Sequence, residues 1–473
     1  MRHFSIVTAA LLACMLAWTN TAYSDDGLVY ATDAEPLRDA ADWNDAGQPT
    51  ADDAPIVLTQ ATRQGGRSDT VRAGNRTASR TARSSRMPYM IGDQFGGGSG
   101  SFDLLTQGSN GSGLSLASIE SPIFGGNRYN VAEANSALPS DRLLFSYRHL
   151  SNVFNSVGLG QAGASDVDQF VIGYEKSFLD GMGSMQFQVP MYRELSSQLD
   201  VYDDAFGSNL APTDRHGEFG NLQAALKLAL IERGGLTITG GAGVTSITAD
   251  DAQFSGSFDA NLPLLNSPSV GTTAPTSFTF DGEVKNCTVH VIPYLAWAYR
   301  PQNAFFHQGF LQVDVPVNST PFSVEATGVI TPDSLYDAET FDVSGRGNIL
   351  PPTLLRANLS FGAWVVQNPC NDLVQGVAAL FEVHYTHALN DPNGYTMPLA
   401  AFTDPSMTED PFTVDLRAGG PAGNVDVVNL SAGVVLDLGS CMLTNGIVVP
   451  ISGNGVGNRA FDFEYNMQLN RLF

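Results

Sequence analysis

From Arg142 to the C-terminus, apolar and polar residues alternate in short runs that turn residues interrupt at regular intervals. Side chains along a strand point to opposite faces at a period of two, so each run predicts a strand with one apolar and one wet face. Met185, Phe187, Val189 and Met191 alternate with Gln186 and Gln188. Leu222, Ala224, Leu226, Leu228 and Leu230 alternate with Asn221, Gln223 and Lys227. Leu355, Ala357, Leu359, Phe361 and Ala363 oppose Arg356, Asn358 and Ser360, and Val377, Ala379, Phe381, Val383 and Tyr385 oppose Glu382 and His384. The pattern predicts strands near 142–154, 166–178, 183–194, 217–231, 235–248, 284–299, 304–317, 352–366, 373–389, 424–437, 441–452 and 460–473.

The connections carry an independent signal. Asp180–Met182, Glu232–Gly234, Arg300–Asn303, Gln367–Asp372 and Leu438–Ser440 are short, whereas the polar stretches near 195–216, 249–283, 318–351 and 390–423 are long. Short and long links alternate, as they do in bacterial barrels with tight periplasmic turns and larger outer loops. A soluble sandwich rarely turns Lys, Arg and Glu inward, whereas a barrel lumen takes them readily. The expected fold is all-β: an antiparallel transmembrane β-barrel of about 12 strands with a disordered N-terminal tail. In the last run Phe461, Phe463, Tyr465, Met467 and Leu469 are expected on the apolar face. The run ends on Phe473, which resembles the C-terminal signal of outer-membrane barrels, although Arg471 stands where an apolar residue is usual. Tyr465 and Phe473 are therefore the candidate assembly signal, read by the barrel-assembly machinery.

Composition changes the picture mainly at the N-terminus. Arg2 and His3 precede an apolar run, Phe4–Trp18, and Ala22-Tyr23-Ser24 offers a small-x-small cleavage site, so residues 1–24 read as a signal peptide. Cys14 closes a run resembling a lipoprotein box, but the residues after it stay apolar. Residues 25–87, acidic and then Arg-rich, bury too little apolar surface to offset chain entropy and are expected to be disordered. Residues 88–140 are Gly-rich and moderately apolar, suited to a segment inside a barrel lumen or a periplasmic cap, and residues 141–473 form the expected barrel. The formal net charge of −24 argues against a general nucleic-acid partner. Mean hydropathy of −0.04 is too polar for a helical membrane protein but ordinary for a barrel. The expected location is the bacterial outer membrane, with its lipid and small solutes as partners; the oligomeric state stays open.

Pro88–Asp93, with Ala132–Arg142 entering the first strand, resembles a family of exported barrel proteins common in planctomycete genomes. More distantly the chain is similar to barrels named after the meta-pathway of phenol degradation, a likeness that Glu175-Lys176 and Gly220–Leu230 fit. The resemblance spans residues 88–473 and implies an outer-membrane location and passive transport. It implies no catalytic residue and no cofactor.

Arg148, Glu175, Lys227, His290, Asp314, Arg356, Glu382, His384 and Glu464 fall on inward positions. They suit either a charged pore lining that selects solutes or a lumen closed by internal ion pairs. No His, Cys or carboxylate spacing amounts to a metal site. Val189-Pro190, Val315-Pro316 and Val449-Pro450 are expected at the rim, because proline cannot donate to a ladder. Cys370 and Cys441 both fall in short turns, where export permits a disulfide. His149 and Ser151 share the outward face of the first strand in a His-x-Ser-Asn motif similar to that of outer-membrane phospholipases and lipid A deacylases. Those families place an Asn or Glu where this chain has Gly163, and Asp168 across the hairpin is a substitute. The leading expectation is a passive channel for small solutes and not an enzyme. A membrane-embedded esterase using Ser151 and His149, and a structural envelope anchor, are the alternatives.

Overall fold

The structure, a computed structural model, describes residues 87–93, 100–107, 113–121 and 128–473. Within the last range the exceptions are 159–160, 194–197, 205–206, 213–216, 264–272, 302–303, 331–338, 372, 391–394, 403–411, 420–425 and 452–460. The expected signal peptide and tail lie outside the described residues.

Twelve antiparallel strands close on themselves. They are β1 (Arg142–Gly158), β2 (Gln161–Phe178), β3 (Gly183–Arg193), β4 (Gln223–Arg233), β5 (Leu236–Thr245) and β6 (His290–Tyr299). The ring continues through β7 (Phe305–Pro316), β8 (Leu354–Gln367), β9 (Gly376–Ala388), β10 (Asp426–Asp437), β11 (Cys441–Pro450) and β12 (Phe463–Leu472). Each pairs with the next, and β12 pairs with β1 from Phe463↔Ser151 to Leu472↔Arg142, so no edge is left open.

Burial follows the sequence alternation. On β9, Ala378, Leu380, Glu382, His384 and Thr386 are buried while Phe381 is exposed. Leu143, Phe145, Ile172, Met185, Phe187, Leu226, Leu228, Leu295, Leu311, Phe361, Val434, Ile447 and Leu469 are likewise exposed. Apolar residues outside and polar ones inside invert the order of a water-soluble protein. In a closed barrel this belt is the surface that meets lipid. No described helix is long and apolar enough to cross a membrane.

Three expectations about the strands need correction. Phe461 is buried and precedes β12, so it does not share the outward face of Phe463 and Leu469. The run expected at 284–299 is divided: Val284 ends a strand outside the barrel, and the barrel strand begins at His290. Pro316 and Pro450 end their strands, but Pro190 lies inside β3 and pairs with Val171. It is tolerated because its other neighbour is interrupted between Gly217–Phe219 and β4, where Gly220 N–H donates to Pro190 O.

The long connections are not plain loops. Strands Gln198–Asp204, Gly207–Pro212, Ala252–Pro263, Thr273–Val284, Thr320–Ile330 and Glu339–Ile349 form a six-stranded sheet at the end of the barrel opposite the short turns. Tyr395–Phe402 and Phe412–Gly419 form a hairpin that pairs with Gly100–Gln107, itself paired with Gly113–Ser121 and so with the upper part of β1. Gly207–Pro212 lies beside β1 and β2, and Glu339–Ile349 beside Tyr395–Phe402, so this second tier stands over the long-connection end. Its buried side is apolar: Phe254, Phe322, Val324, Ala326 and Met397 pack together. Polar residues such as Asp281, Glu325 and Thr327 alternate with them and hide the apolar stripe in a composition-level reading.

Candidate functional site

The lumen is occupied by the chain itself. Met87–Asp93 runs upward from the short-turn end. Tyr89 donates to Ser140 near the bottom and carries the Arg142 guanidinium 4.0 Å over its ring. Asp93, higher up, accepts from Asn429 Nδ2 at 2.7 Å. The return pass starts high at Arg128, which bonds Asp314 and Pro352 O, and descends to Ser140 before Arg142 opens β1. The two passes hold each other through Met90 N–H to Asn135 O, 2.8 Å, and Asn130 Nδ2 to Asp93 O, 3.0 Å.

Backbone geometry permits this close fit. Gly92 sits at φ 81° with Glu133 Cα 2.5 Å from where a Cβ would stand, so only glycine serves there. In the wall, Gly433 pairs with Gly446, and a Cβ on either would meet Ile91 Cδ1 at 2.7 or 2.6 Å. These wall glycines make the hollow that receives Ile91.

Each inward charge expected from the sequence lies in the wall, at 0–2% exposure, and most of them bind the inner segment. Glu382 accepts from Ile91 N–H at 3.1 Å and Gly92 N–H at 3.0 Å, and His384 Nε2 and Ser431 Oγ each stand 3.2 Å from it. Arg148 joins Glu464 at 2.8 Å, Glu133 at 2.9 Å and Ile91 O at 3.0 Å. Glu175 gathers Arg142, Lys227 and Ser184 within 2.8 Å, and Lys227 also donates to Ser136 O and Asn135 Oδ1. Asp314 lies 3.1 Å from Arg128, 2.7 Å from His290 and 3.6 Å from Arg356, while Arg356 donates to Tyr129 O at 2.8 Å. The lumen thus holds both internal ion pairs and residues 87–93 and 128–140, while Gly100–Gln107 and Gly113–Ser121 between them belong to the second tier and not to the lumen. Removing one member of a buried pair leaves an unpaired charge at a cost of about 3–5 kcal/mol, so these contacts fix the inner segment firmly.

Sequence reading quoted Asp93, Glu133 and Asn135 only as parts of the two motifs of the resemblance, without a role, and did not single out Arg128, Tyr129, or Gln308 and Gln312, which bond Pro88 O and Val131 N–H. Charged and amide residues inside a moderately apolar, Gly-rich segment were the available signal. Where that segment joins β1, Asp141 binds Lys176 Nζ at 2.8 Å and the Ser177 N–H and hydroxyl at 2.6 Å. Partial burial pushes its pKa up, but the Lys176 and Ser177 hydrogen bonds outweigh that and hold it below the usual carboxylate value.

No protein-family model and no curated protein matches the chain. Among solved structures it is similar to the P. putida toluene transporter TodX: 9% identity, TM-score 0.33, covering 73% of this chain and 95% of that one. The Ralstonia pickettii toluene transporter TbuX gives 9% identity and TM-score 0.31 over 71% and 90%. The beta domain of the Bordetella autotransporter Brka gives 11% and 0.31 over 71% and 100%. Likenesses this slight carry nothing about what the chain does.

Other residues considered from the sequence lie outside the lumen. His149 faces outward with its side chain 39% exposed, and Asp168 does cross the hairpin, 3.0 Å from His149 Nδ1. Asp168 also accepts from Tyr147 OH, and among the described hydrogen bonds none joins Ser151 to His149. Past Leu150 the β1–β2 register shifts, with Asn152 at φ 57°. Tyr465 is half-buried, bonds Asn445 through its OH and lies 6.5 Å from the Tyr147 ring. Phe473 is 65% exposed beside Tyr174 at the short-turn end. Cys287, Cys370 and Cys441 are free thiols, so the turn cysteines are not bridged. Among the described residues no cluster suits a metal ion.

Proposed function

We infer that this is an outer-membrane barrel for passive transport of small solutes, closed to ions at rest by its own residues 87–93 and 128–140. The observation that carries the reading is the clasp of Glu382 on Ile91 and Gly92, with the Arg148, Glu175 and Asp314 pairs around it. A purely structural barrel is served by wall-to-wall pairs; here the inner segment rests on side chains that would line an open pore once it moved. The short-turn end, which carries both Arg142 and Phe473, faces the periplasm, and the second tier faces outward. Lipid surrounds the belt, and the terminal Tyr465–Phe473 stretch addresses the barrel-assembly machinery.

Planar-bilayer recordings test this. The full mature chain should be silent, and a chain beginning at Asp141 should conduct. Its cation-to-anion preference should shift with Glu382→Gln or Arg356→Gln, because charges in a narrow lumen set the potential along it. Silence of both chains would leave a structural anchor as the better account.

A further inference from the structure

We propose that solutes pass the inner segment along its seam with β12, and that the seam takes small uncharged hydrogen-bonding molecules of the urea or glycerol kind. The inference rests on the transport reading above and adds the route and the class of solute. Four successive inward residues of β12, Asn470, Gln468, Asn466 and Glu464, each use one polar atom and leave the other buried without a partner. Asn470 Oδ1 accepts from Arg142, Gln468 Nε2 donates to Met90 O and Ile91 O, and Glu464 Oε1 accepts from Arg148. Asn466 Nδ2 reaches Ile91 O at 3.5 Å and Glu464 at 3.3 Å. The spare atoms are Asn470 Nδ2, Gln468 Oε1, Asn466 Oδ1 and Glu464 Oε2. Both ladder neighbours of Gln468, Thr444 and Ser146, also keep buried hydroxyls with no partner.

From Glu464 to Asn470 the file runs about 20 Å along the strand at about 3.4 Å per residue. Buried polar groups are otherwise almost always paired, so a continuous file of spare donors and acceptors disfavours the closed seam and rewards any hydrogen-bonding molecule that enters. Gln186 and Gln188 on β3 also keep unpartnered amide atoms, but that run stops at two residues, since Ser184 before it binds Glu175 and Pro190 follows it; Ser360 Oγ on β8 and His290 Nε2 on β6 are isolated from it. The inner segment meets β12 mainly through the neutral carbonyls of Met90 and Ile91, whereas β9 holds it through the Glu382 carboxylate. The β12 side is therefore the weaker one. Its lining is amide and hydroxyl apart from one carboxylate, Glu464, which shares Arg148 with Glu133, so the seam offers many hydrogen-bonding groups for each charge.

The test is urea influx into vesicles holding the full mature chain, with heat-shifted gel mobility as the measure of folding. Influx should exceed that of empty vesicles several-fold, fall to background with Asn466→Leu and Gln468→Leu together, and survive Ser360→Ala. If the paired variant does not fold, Thr444→Val replaces a seam hydroxyl by a methyl of like size and should lower influx on its own. No influx through the folded chain, influx unchanged by the seam variants, or equal loss with Ser360→Ala would each overturn the route. Conductance of the chain beginning at Asp141 without urea influx through the full chain would sink the seam and keep the channel. Silence in both would sink the channel reading as well.

Discussion

Replacing Glu382 by Ala attacks the grip on the Ile91–Gly92 turn of the inner segment. The carboxylate accepts from two buried backbone donors, Ile91 N–H and Gly92 N–H, and neither has another described acceptor. A buried donor left without a partner costs about 1–3 kcal/mol, so the docked position loses roughly 2–6 kcal/mol. At about 1.4 kcal/mol per tenfold, the docking equilibrium shifts between roughly 30-fold and 10⁴-fold. The lower end applies if water enters the space the carboxylate leaves. Glu382→Gln keeps one carbonyl oxygen, and its effect should be about half as large on the logarithmic scale. Hydrogen–deuterium exchange of residues 87–93 in lipid nanodiscs reads this directly, because local opening exposes those amides without unfolding the wall. Exchange there should accelerate in the order Ala, Gln, native, while β-strand amides stay protected. Unchanged exchange in Glu382→Ala, or equal acceleration throughout the barrel, would refute the clasp.

Deleting Phe473 should lower the amount of barrel in the outer membrane without blocking export, measured by fractionation; normal levels would remove the terminus from assembly. A Cys at Thr327, exposed on the second tier, should react with an impermeant thiol reagent on whole cells, and one at Glu232, beside a short turn, should not; reversed labelling would invert the orientation. Purified protein should not cleave phospholipid or lipid A esters, and Ser151→Ala should change nothing, since His149 is turned to Asp168 and no described bond links it to Ser151. Hydrolysis lost on that substitution would revive the esterase.

The sequence by itself determined the barrel. Period-two alternation sets which residues face lipid, and the alternation of short and long links sets an even, up-and-down strand order, so both are local properties readable without contacts. Leu228 outside and Lys227 inside follow from neighbouring positions alone. The content of the lumen is different in kind. That Glu382 meets Ile91 and Gly92, some 290 residues earlier, depends on ring closure and on a hollow made by Gly433 and Gly446, two residues that belong to separate strands. The second tier was likewise illegible, because Phe254, Phe322 and Met397 come from three connections whose Gly, Ser and Asp content reads as loop until the strands are side by side. Periodicity specifies which face a side chain takes; what stands opposite that face is decided only when distant segments share the same interior.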